Sequence, residues 1–186
     1  MYITFTGAQS TGKSTLIEAL KNNNLIKDHF NFIESITRKI KAQGFKINEE
    51  GDDQTQLAML RGHLSLLENQ DKDCIADRCL VDVCAYTLYL FETHKVSAEV
   101  TGKVLAHLKK SLCEYDVIFY LVPEFGVVAD GTRSESITFR DRVADIYEML
   151  ISMIKTLGKE VYKLTGSVEE RIDSVYKVLR ERGVKC

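Results

Sequence analysis

Five short runs of apolar residues, rich in β-branched and aromatic side chains, alternate with longer stretches in which apolar residues recur at helical spacing. The predicted strands cover residues 2–6, 31–34, 73–76, 116–122 and 160–164. The predicted helices cover about 13–22, 36–43, 53–69, 79–93, 97–113, 135–157 and 168–182. Because strands alternate with helices, the pattern predicts an α/β fold in which helices cover both faces of a parallel sheet.

Two predicted helices begin with a capping-box pattern, in which a side chain at each end of four residues bonds to the backbone amide at the other end. The pairs are Asp53 with Gln56 and Ser167 with Glu170. We expect them to fix the starts of the helices at 53 and 168.

Length and composition indicate one globular domain over residues 1–186. The formal net charge is −2, so no overall positive field attracts nucleic acid or an anionic membrane, and any phosphate must be held locally. No uncharged apolar stretch approaches the roughly 18 residues of a membrane-spanning helix. The sequence opens without a secretion signal, and its five cysteines lack zinc-site spacing, so we expect reduced thiols and a cytoplasmic location.

The segment after the first predicted strand matches G-x-x-x-x-G-K-[ST] at every fixed position. This is the Walker A pattern, a loop whose backbone N–H groups and following helix N-terminus surround a phosphate chain. The predicted nucleotide contacts here are Gly7, Ala8, Gln9, Ser10, Thr11, Gly12, Lys13, Ser14 and Thr15. Lys13 supplies a charge between the β- and γ-phosphates, and the Ser14 hydroxyl is expected to bind Mg²⁺. The motif therefore predicts ATP and Mg²⁺ as cofactors.

Elements that identify other classes of Walker A protein are missing. The sequence has neither the N-K-x-D nor the D-x-x-G element of GTPases, and it lacks the Gly-rich signature of ATP-binding-cassette proteins. Asp77 is followed by Arg78, whereas many motor ATPases have Asp-Glu at that place. These differences favour a small kinase.

Charged side chains follow the third predicted strand. Ligands of an open parallel sheet bind at the carboxyl ends of its strands, so Asp77 and Arg78 should lie beside the phosphate loop if the first and third strands are neighbours. Asp77 would then be near Mg²⁺. Asp82 and Tyr86 follow Arg78 at helical spacing, on a stripe that can meet a substrate. The alternative is a surface ion pair between Arg78 and Asp82.

Two further segments carry residues suited to phosphoryl transfer. Glu34 ends the second predicted strand and Arg38 follows one helical turn later, as a base and a phosphate clamp, or as a solvated pair. A turn-rich loop then precedes the long helix, and we interpret residues 124–142 as a lid. Arg133 and Arg140 would neutralise the transferring phosphoryl group there. An ordinary polar loop is the alternative.

With these motifs in place, the chain resembles the P-loop nucleoside and nucleotide kinases over nearly its whole length. The segments GAQSTGKST, IESITR and DGTRS, the last followed by Arg140, are similar to the kinase domain of bifunctional nicotinamide riboside kinases. The segment ADRCLVDVCAYT instead resembles the Asp-Arg motif of thymidylate kinases. The resemblance implies a three-layer P-loop NTPase fold with a five-stranded parallel sheet in the order 2-3-1-4-5, ATP on the Walker A loop, and an acceptor cleft at the ends of strands two and three.

The sequence thus predicts an ATP- and Mg²⁺-dependent phosphotransferase acting on a small nucleoside or nucleoside monophosphate. The expected catalytic residues are Lys13, Asp77, Glu34, Arg78 and Arg133. The expected acceptor contacts are Glu34, Arg38, Asp77, Arg78, Asp82 and Tyr86, with Ser14 and Asp77 at the metal. A nucleoside hydroxyl needs a carboxylate base, either Glu34 or Asp77, whereas a monophosphate needs the cations.

Two other functions remain open at this point. One is a P-loop ATPase or nucleotide-dependent binding module that switches a partner. The other is a kinase of a polynucleotide or of a modified DNA base, against which the near-neutral net charge argues. The oligomeric state is not readable from the sequence.

Overall fold

Residues 1–69, 73–124 and 136–184, the parts of the chain that the computed structural model describes, form five strands, each followed by one or two α-helices. The strands are β1 (Tyr2–Thr6), β2 (Asn31–Ile33), β3 (Cys74–Asp77), β4 (Val117–Leu121) and β5 (Val161–Leu164). The helices are α1 (Lys13–Lys21), α2 (Asn24–Lys27), α3 (Ile36–Ala42), α4 (Asp53–Glu68), α5 (Leu80–Glu92), α6 (Ala98–Ser111), α7 (Ile137–Thr156) and α8 (Val168–Glu181). Short 3₁₀ turns cover Asn48–Glu50 and Leu112–Glu114.

The strands form one wholly parallel sheet in the order β2-β3-β1-β4-β5, which confirms the fold class and the strand order expected from the sequence. β1 lies between β3 and β4, and the register pairs Phe5 with Asp77 and Thr6 with Tyr120. The carboxyl end of β3 therefore lies beside the end of β1, where the Walker A loop begins.

Alternate side chains of β4 point to opposite faces of the sheet and pack into two separate cores. Val117, Phe119 and Leu121 pack with residues of α1 and α8, whereas Ile118 and Tyr120 pack with residues of α5 and α7. All five positions of β1 and of β4 are buried. Burial on both faces explains the continuous apolar runs of these strands and holds the loops at their carboxyl ends against two cores.

Hydrogen bonds at the start of α4 differ from the sequence prediction. Asp52 caps this helix, because its Oδ1 accepts from the Thr55 amide at 2.9 Å. Asp53 instead accepts from the Ser97 amide at 2.8 Å and links α4 to the start of α6. The predicted capping box of Asp53 is therefore wrong, because the Asp53 carboxylate accepts a hydrogen bond from a residue distant in sequence instead of capping α4.

The capping box at the start of α8 is confirmed by both of its bonds, Ser167 N–H to Glu170 Oε2 at 2.7 Å and Glu170 N–H to Ser167 Oγ at 3.2 Å. α2 was not predicted, because four residues are too few to show a helical period. In the described parts of the chain, no helix has the length and apolar character needed to cross a membrane.

Candidate active site

Two glycines with positive φ shape the Walker A loop between β1 and α1. Gly7 has φ 144°, and a β-carbon there would lie 2.6 Å from the carbonyl oxygen of Leu121 at the end of β4. Gly12 has φ 81° and is the N-cap residue of α1, so no cap side chain occupies the amides of the first turn. Glycine alone fits both positions without strain, and the positive end of the helix dipole faces the loop.

Lys13 is buried within this loop, at 5% exposure. Its Nζ donates to the carbonyl oxygens of Gly7 at 2.7 Å and Ala8 at 3.0 Å, and to Thr11 Oγ1 at 3.2 Å. The ammonium group is thus held inside the ring of loop backbone, where its full charge adds to the partial charges of the N–H groups.

Arg171, a residue that the sequence analysis missed, holds the Walker A loop through a hydrogen bond to the loop backbone. This side chain lies in the first turn of α8 and is 1% exposed. Its Nη1 donates to the Thr11 carbonyl at 2.5 Å, and its Nη2 pairs with Glu124 Oε2 at 2.7 Å. Glu124 also accepts from the Gly166 amide at 2.9 Å. The C-terminal helix therefore helps to hold the phosphate loop in place.

Three adjoining clefts are formed by the described residues at this edge of the sheet. The loop cleft is lined by Gln9, Ser10, Thr11, Lys13, Ser14, Ser35, Thr37, Arg38, Asn48, Asp77, Arg78 and Tyr86. The helix cleft is lined by Thr37, Ile47, Asn48, Thr55, Gln56, Met59, His63, Arg78, Asp82, Val83 and Tyr86. The side groove is lined by Ser14, Thr15, Ile17, Glu18, Ala19, Lys21, Ile33, Glu34, Ser35, Arg38 and Asp77.

Asp77 and Ser14 line the same two clefts, the loop cleft and the side groove. Asp77 is the last residue of β3 and Ser14 lies in the first turn of α1. Mg²⁺ is commonly held by one or two carboxylates together with phosphate oxygens and water. The oxygen atoms of Asp77 and Ser14 therefore fit a magnesium ion bound between β3 and α1.

Asp82 is 3% exposed and accepts four hydrogen bonds from the protein. Oδ2 accepts from Thr6 Oγ1 and from the Cys79 amide, both at 2.8 Å. Oδ1 accepts from Tyr147 Oη at 2.8 Å and from Arg78 Nη1 at 3.1 Å. Burial and the Asp82 carboxylate raise the pKa of Tyr147, which keeps its hydroxyl protonated as a donor. The Asp82 oxygens are thus taken up within the protein, and one of their effects is to orient Arg78.

Arg78 precedes α5, and its backbone is left-handed, with φ 82°. Its N–H donates to the Phe5 carbonyl at 3.0 Å, which continues the β1–β3 ladder, while its guanidinium lies 5.7 Å from the ring centre of Tyr86. Strain of this kind persists where surrounding contacts enforce it, and it is concentrated at functional sites. The structure thus brings Arg78, Asp82 and Tyr86 together, and Arg78 and Tyr86 both stand at the junction of the loop cleft and the helix cleft.

Glu34 and Arg38 are both exposed, and both line the side groove with Asp77. Arg38 also reaches the loop cleft, whereas Glu34 is not among the described residues that line the loop cleft or the helix cleft. The structure therefore brings Arg38 to the phosphate loop and Glu34 to the groove beside Ser14 and Asp77.

Most of the predicted lid, including Arg133, falls within residues 125–135, which lie outside the described residues. Arg140 lies in the first turn of α7, where its guanidinium donates to Asp141 Oδ1 at 2.9 and 2.7 Å. It is not among the described residues that line the three clefts. The neighbouring Phe139 contacts the rings of Tyr86 and Tyr89 at centroid distances of 5.9 and 4.6 Å, which packs the start of α7 on α5.

The sequence analysis also missed two buried polar side chains of α4. Gln56 and His63 are 4% and 3% exposed and both line the helix cleft. Gln56 Oε1 accepts from Thr87 Oγ1 at 2.9 Å, and burial lowers the pKa of His63 to about 4. The available signal was their spacing: they share the face of Met59 and Leu60, so that two polar residues interrupt an apolar stripe.

A family model described as an AAA domain matches residues 2–171 of the chain. No curated protein sequence matches this chain.

Solved structures with the same fold include a deoxyadenosine kinase from M. mycoides with dCMP and dCDP bound. Its TM-score is 0.72 at 16% sequence identity, and the match covers 97% of this chain and 99% of the kinase chain. The NadR protein in complex with NR has a TM-score of 0.73 at 19% identity, over 99% of this chain and 52% of its own. NadR in complex with NAD and AMP-PNP has a TM-score of 0.71 at 18% identity, over 100% of this chain and 50% of its own. The chain thus has the P-loop kinase fold and spans about half the length of NadR.

Proposed function

Because the chain belongs to this AAA domain family and shares its fold with a deoxyadenosine kinase and with NadR, we propose that it is an ATP- and Mg²⁺-dependent kinase. Its acceptor is a nucleoside or a nucleoside monophosphate, of the deoxynucleotide or nicotinamide riboside type. The observation that carries the proposal is the continuity of the loop cleft with the helix cleft, which share Thr37, Asn48, Arg78 and Tyr86. A phosphate-binding cleft that opens into a second cleft can hold two small molecules with their reacting groups in contact.

On the donor side, the loop amides and Lys13 bind the β- and γ-phosphates. Ser14 and Asp77 hold Mg²⁺, which supplies charge neutralisation at the phosphate oxygens. Arg171 keeps the loop in shape through the Thr11 carbonyl.

On the acceptor side, Arg78 is fixed where the two clefts meet, and Arg38 reaches the loop cleft from α3. These two cations offset the charge of the phosphoryl group and, for a monophosphate, of the acceptor itself. For a hydroxyl acceptor, Asp77 or Glu34 removes the proton. Arg133 and Arg140 contribute further positive charge from the predicted lid.

The first test is the replacement of the loop lysine. We expect Lys13→Ala to lower kcat/KM for phosphoryl transfer by at least ~10²-fold, because the phosphate charge loses its buried partner. The control is Lys109→Ala on the exposed side of α6, which should keep wild-type turnover. Melting temperatures of both variants check the fold, and undiminished transfer by a folded Lys13→Ala protein would contradict the proposal.

A second variant tests Glu34 as the base for a hydroxyl acceptor. If Glu34 is that base, Glu34→Gln lowers kcat by ~10²-fold or more, whereas a monophosphate acceptor, or a hydroxyl acceptor with Asp77 as its base, leaves the rate close to normal. Glu181→Gln, an exposed carboxylate of α8, is the matched control. The assay follows phosphoryl transfer to a panel of nucleosides and monophosphates.

We further propose that residues 1–186 act as one kinase domain in the cytoplasm, on a small-molecule acceptor. The buried free thiols of Cys74, Cys79 and Cys84 support a reducing compartment. ATP as the donor is consistent with the same location.

A further inference from the structure

The peptide group between Thr11 and Gly12 has a fixed direction in the Walker A loop. Its carbonyl oxygen accepts from Arg171 Nη1 at 2.5 Å, and Thr11 is 1% exposed. In a planar trans peptide group, the carbonyl and the N–H point in opposite directions. Thr11 lines the loop cleft, whereas Arg171 is not among the described residues that do. Because Arg171 holds the carbonyl on its own side of the loop, the Gly12 N–H points away from α8.

The side chain of Thr11 contacts the loop lysine. Thr11 Oγ1 donates to the Ala8 carbonyl at 3.0 Å and accepts from Lys13 Nζ at 3.2 Å. One residue therefore meets Arg171 with its backbone and Lys13 with its hydroxyl. A shift of Thr11 displaces the Gly12 N–H and the Lys13 ammonium group together, and both are groups that the proposed function places on the donor phosphates.

Glu124, which follows β4, orients the guanidinium of Arg171. Arg171 Nη2 and Glu124 Oε2 lie 2.7 Å apart, and the same oxygen accepts from the Gly166 amide at 2.9 Å. The Arg171 side chain is 1% exposed and that of Glu124 is 34% exposed. A planar guanidinium that bonds to a carboxylate on one side and a carbonyl on the other has little freedom to rotate. Glu124 thus sets the direction in which Arg171 reaches Thr11.

The packing of α8 does not depend on this ion pair alone. Val175 and Leu179 of α8 are fully buried in the same core as Leu16 and Leu20 of α1. Burying a charged pair costs desolvation free energy, and apolar side chains of similar size often stabilise a protein as well or better. A contact that only attached α8 to the loop would therefore need no arginine. The polar pair is better explained by the direction that it gives to the loop backbone.

We infer that Glu124 and Arg171 are positioning residues for the phosphate donor, which act through Thr11 to aim the Gly12 N–H and the Lys13 ammonium group at the donor phosphates. This inference rests on the proposed kinase function and adds to its donor site two residues outside the Walker A motif. Their effect falls on the phosphates and not on the nucleoside, so it extends to inorganic tripolyphosphate.

The experiment measures donor binding apart from phosphoryl transfer. ATP and inorganic tripolyphosphate, each with Mg²⁺, are titrated calorimetrically into the wild type and Arg171→Met. We expect the variant to raise both Kd values by the same factor, ~10-fold or more, because a hydrogen bond to a charged phosphate is misdirected. With ATP and an acceptor that the wild type phosphorylates, KM for ATP should rise similarly, and KM for the acceptor should stay within ~3-fold.

Two further variants frame this result. Arg171→Lys keeps the charge but lacks the fork that reaches Glu124 and Thr11 together, so its Kd values should lie between those of the wild type and Arg171→Met. Arg182→Met is the matched control, because Arg182 forms an exposed ion pair with Glu160 at the other end of α8. It should bind both phosphate compounds as the wild type does.

A double variant separates positioning from stability. Arg171→Met leaves the Glu124 carboxylate without its cation, whereas Arg171→Met with Glu124→Gln removes both charges and should recover most of the lost stability in urea unfolding. A positioning role predicts that both Kd values stay raised ~10-fold in the double variant although its stability recovers. If Arg171→Met does not fold, the double variant carries the test, and if neither folds, Arg171→Lys carries it.

The outcomes distinguish the inference from the function beneath it. Wild-type Kd values in the folded Arg171 variants, or Kd values that recover with stability in the double variant, overturn the inference and leave the kinase proposal intact. A loss confined to ATP also overturns it, because the effect then lies at the nucleoside. Binding of both phosphate compounds that depends on Arg171, without transfer to any nucleoside or monophosphate, supports the inference and contradicts the kinase proposal. Binding of neither compound to the wild type contradicts both.

Discussion

Asp82 and His63 line the same cleft, but they differ in the hydrogen bonds that the rest of the protein makes to them. Asp82 receives donors from a threonine, a tyrosine, an arginine and the backbone, so its buried charge is compensated. His63 receives no such bond among the described residues, and burial depresses its pKa to about 4. Asp82 and Asp77 favour a proton on the ring and Arg78 opposes it, but burial is the largest effect.

The depressed pKa of His63 makes stability depend on pH. In the unfolded chain His63 binds a proton below about pH 6.5, the ordinary pKa of histidine. In the folded protein it binds that proton only when the pH falls to about 4. The wild type should therefore lose roughly 2–3 kcal/mol of unfolding free energy, relative to His63→Gln, between pH 7 and pH 4.5. Urea unfolding of both proteins across this range measures the difference, in which the other titrating groups cancel. A difference that stays constant with pH would show that His63 titrates normally in the fold.

Helices and strands were predictable to the extent that their causes are local. The apolar period of α4 predicts a helix at 53–69, and the structure has it at Asp53–Glu68. The same period cannot tell whether Gln56 and His63 face solvent, core or cleft, because that depends on which helix packs beside the phosphate loop. The Walker A segment was recognisable because loop, glycines and lysine are contiguous.

Long-range partners were not predictable from spacing. The Arg78–Asp82 pair follows from i,i+4 geometry, but Thr6 and Tyr147 lie 76 and 65 residues from Asp82 and have no sequence pattern that links them to it. Arg171 is similar: its position on the apolar face of α8 was visible, whereas its bond to Thr11 required the fold.

At the level of elements, two glycines offer a matched test of the loop geometry. Gly7→Ala should destabilise the protein and weaken ATP binding, since its β-carbon would lie 2.6 Å from the Leu121 carbonyl oxygen and φ is 144°. Gly102→Ala lies within α6, where an added β-carbon meets nothing within 4 Å, so it should stabilise by up to about 1 kcal/mol. Thermal unfolding and ATP titration of both variants check the prediction, and equal effects at the two sites would contradict the close approach of β4 to the loop.

For the molecule as a whole, Asp82 links the sheet to the helices on one of its faces. Its hydrogen-bond donors come from β1, from the segment between β3 and α5, and from α7. Asp82→Asn removes the charge and turns one acceptor into a donor, so that buried donors are left facing each other. We expect a loss of roughly 3 kcal/mol or more in stability and weaker acceptor binding through a misplaced Arg78.

The matched control for this prediction is Asp145→Asn, at a side chain 74% exposed on α7, which should change stability by under about 0.5 kcal/mol. Chemical unfolding gives the stabilities, and calorimetric titration of the acceptor gives the effect on binding. Near-wild-type stability of Asp82→Asn would mean that the four bonds contribute little to the fold.

The bond between Arg171 and the Thr11 carbonyl joins residues 160 positions apart, and it has a consequence for how the protein is made. Because translation runs from the N-terminal to the C-terminal end, the ribosome makes the phosphate loop well before it makes α8. β1 likewise waits for β3 and β4 before both of its edges are paired. The nucleotide site is therefore completed only when translation has passed through α8, and a nascent chain interrupted before that helix lacks the brace that holds its phosphate loop.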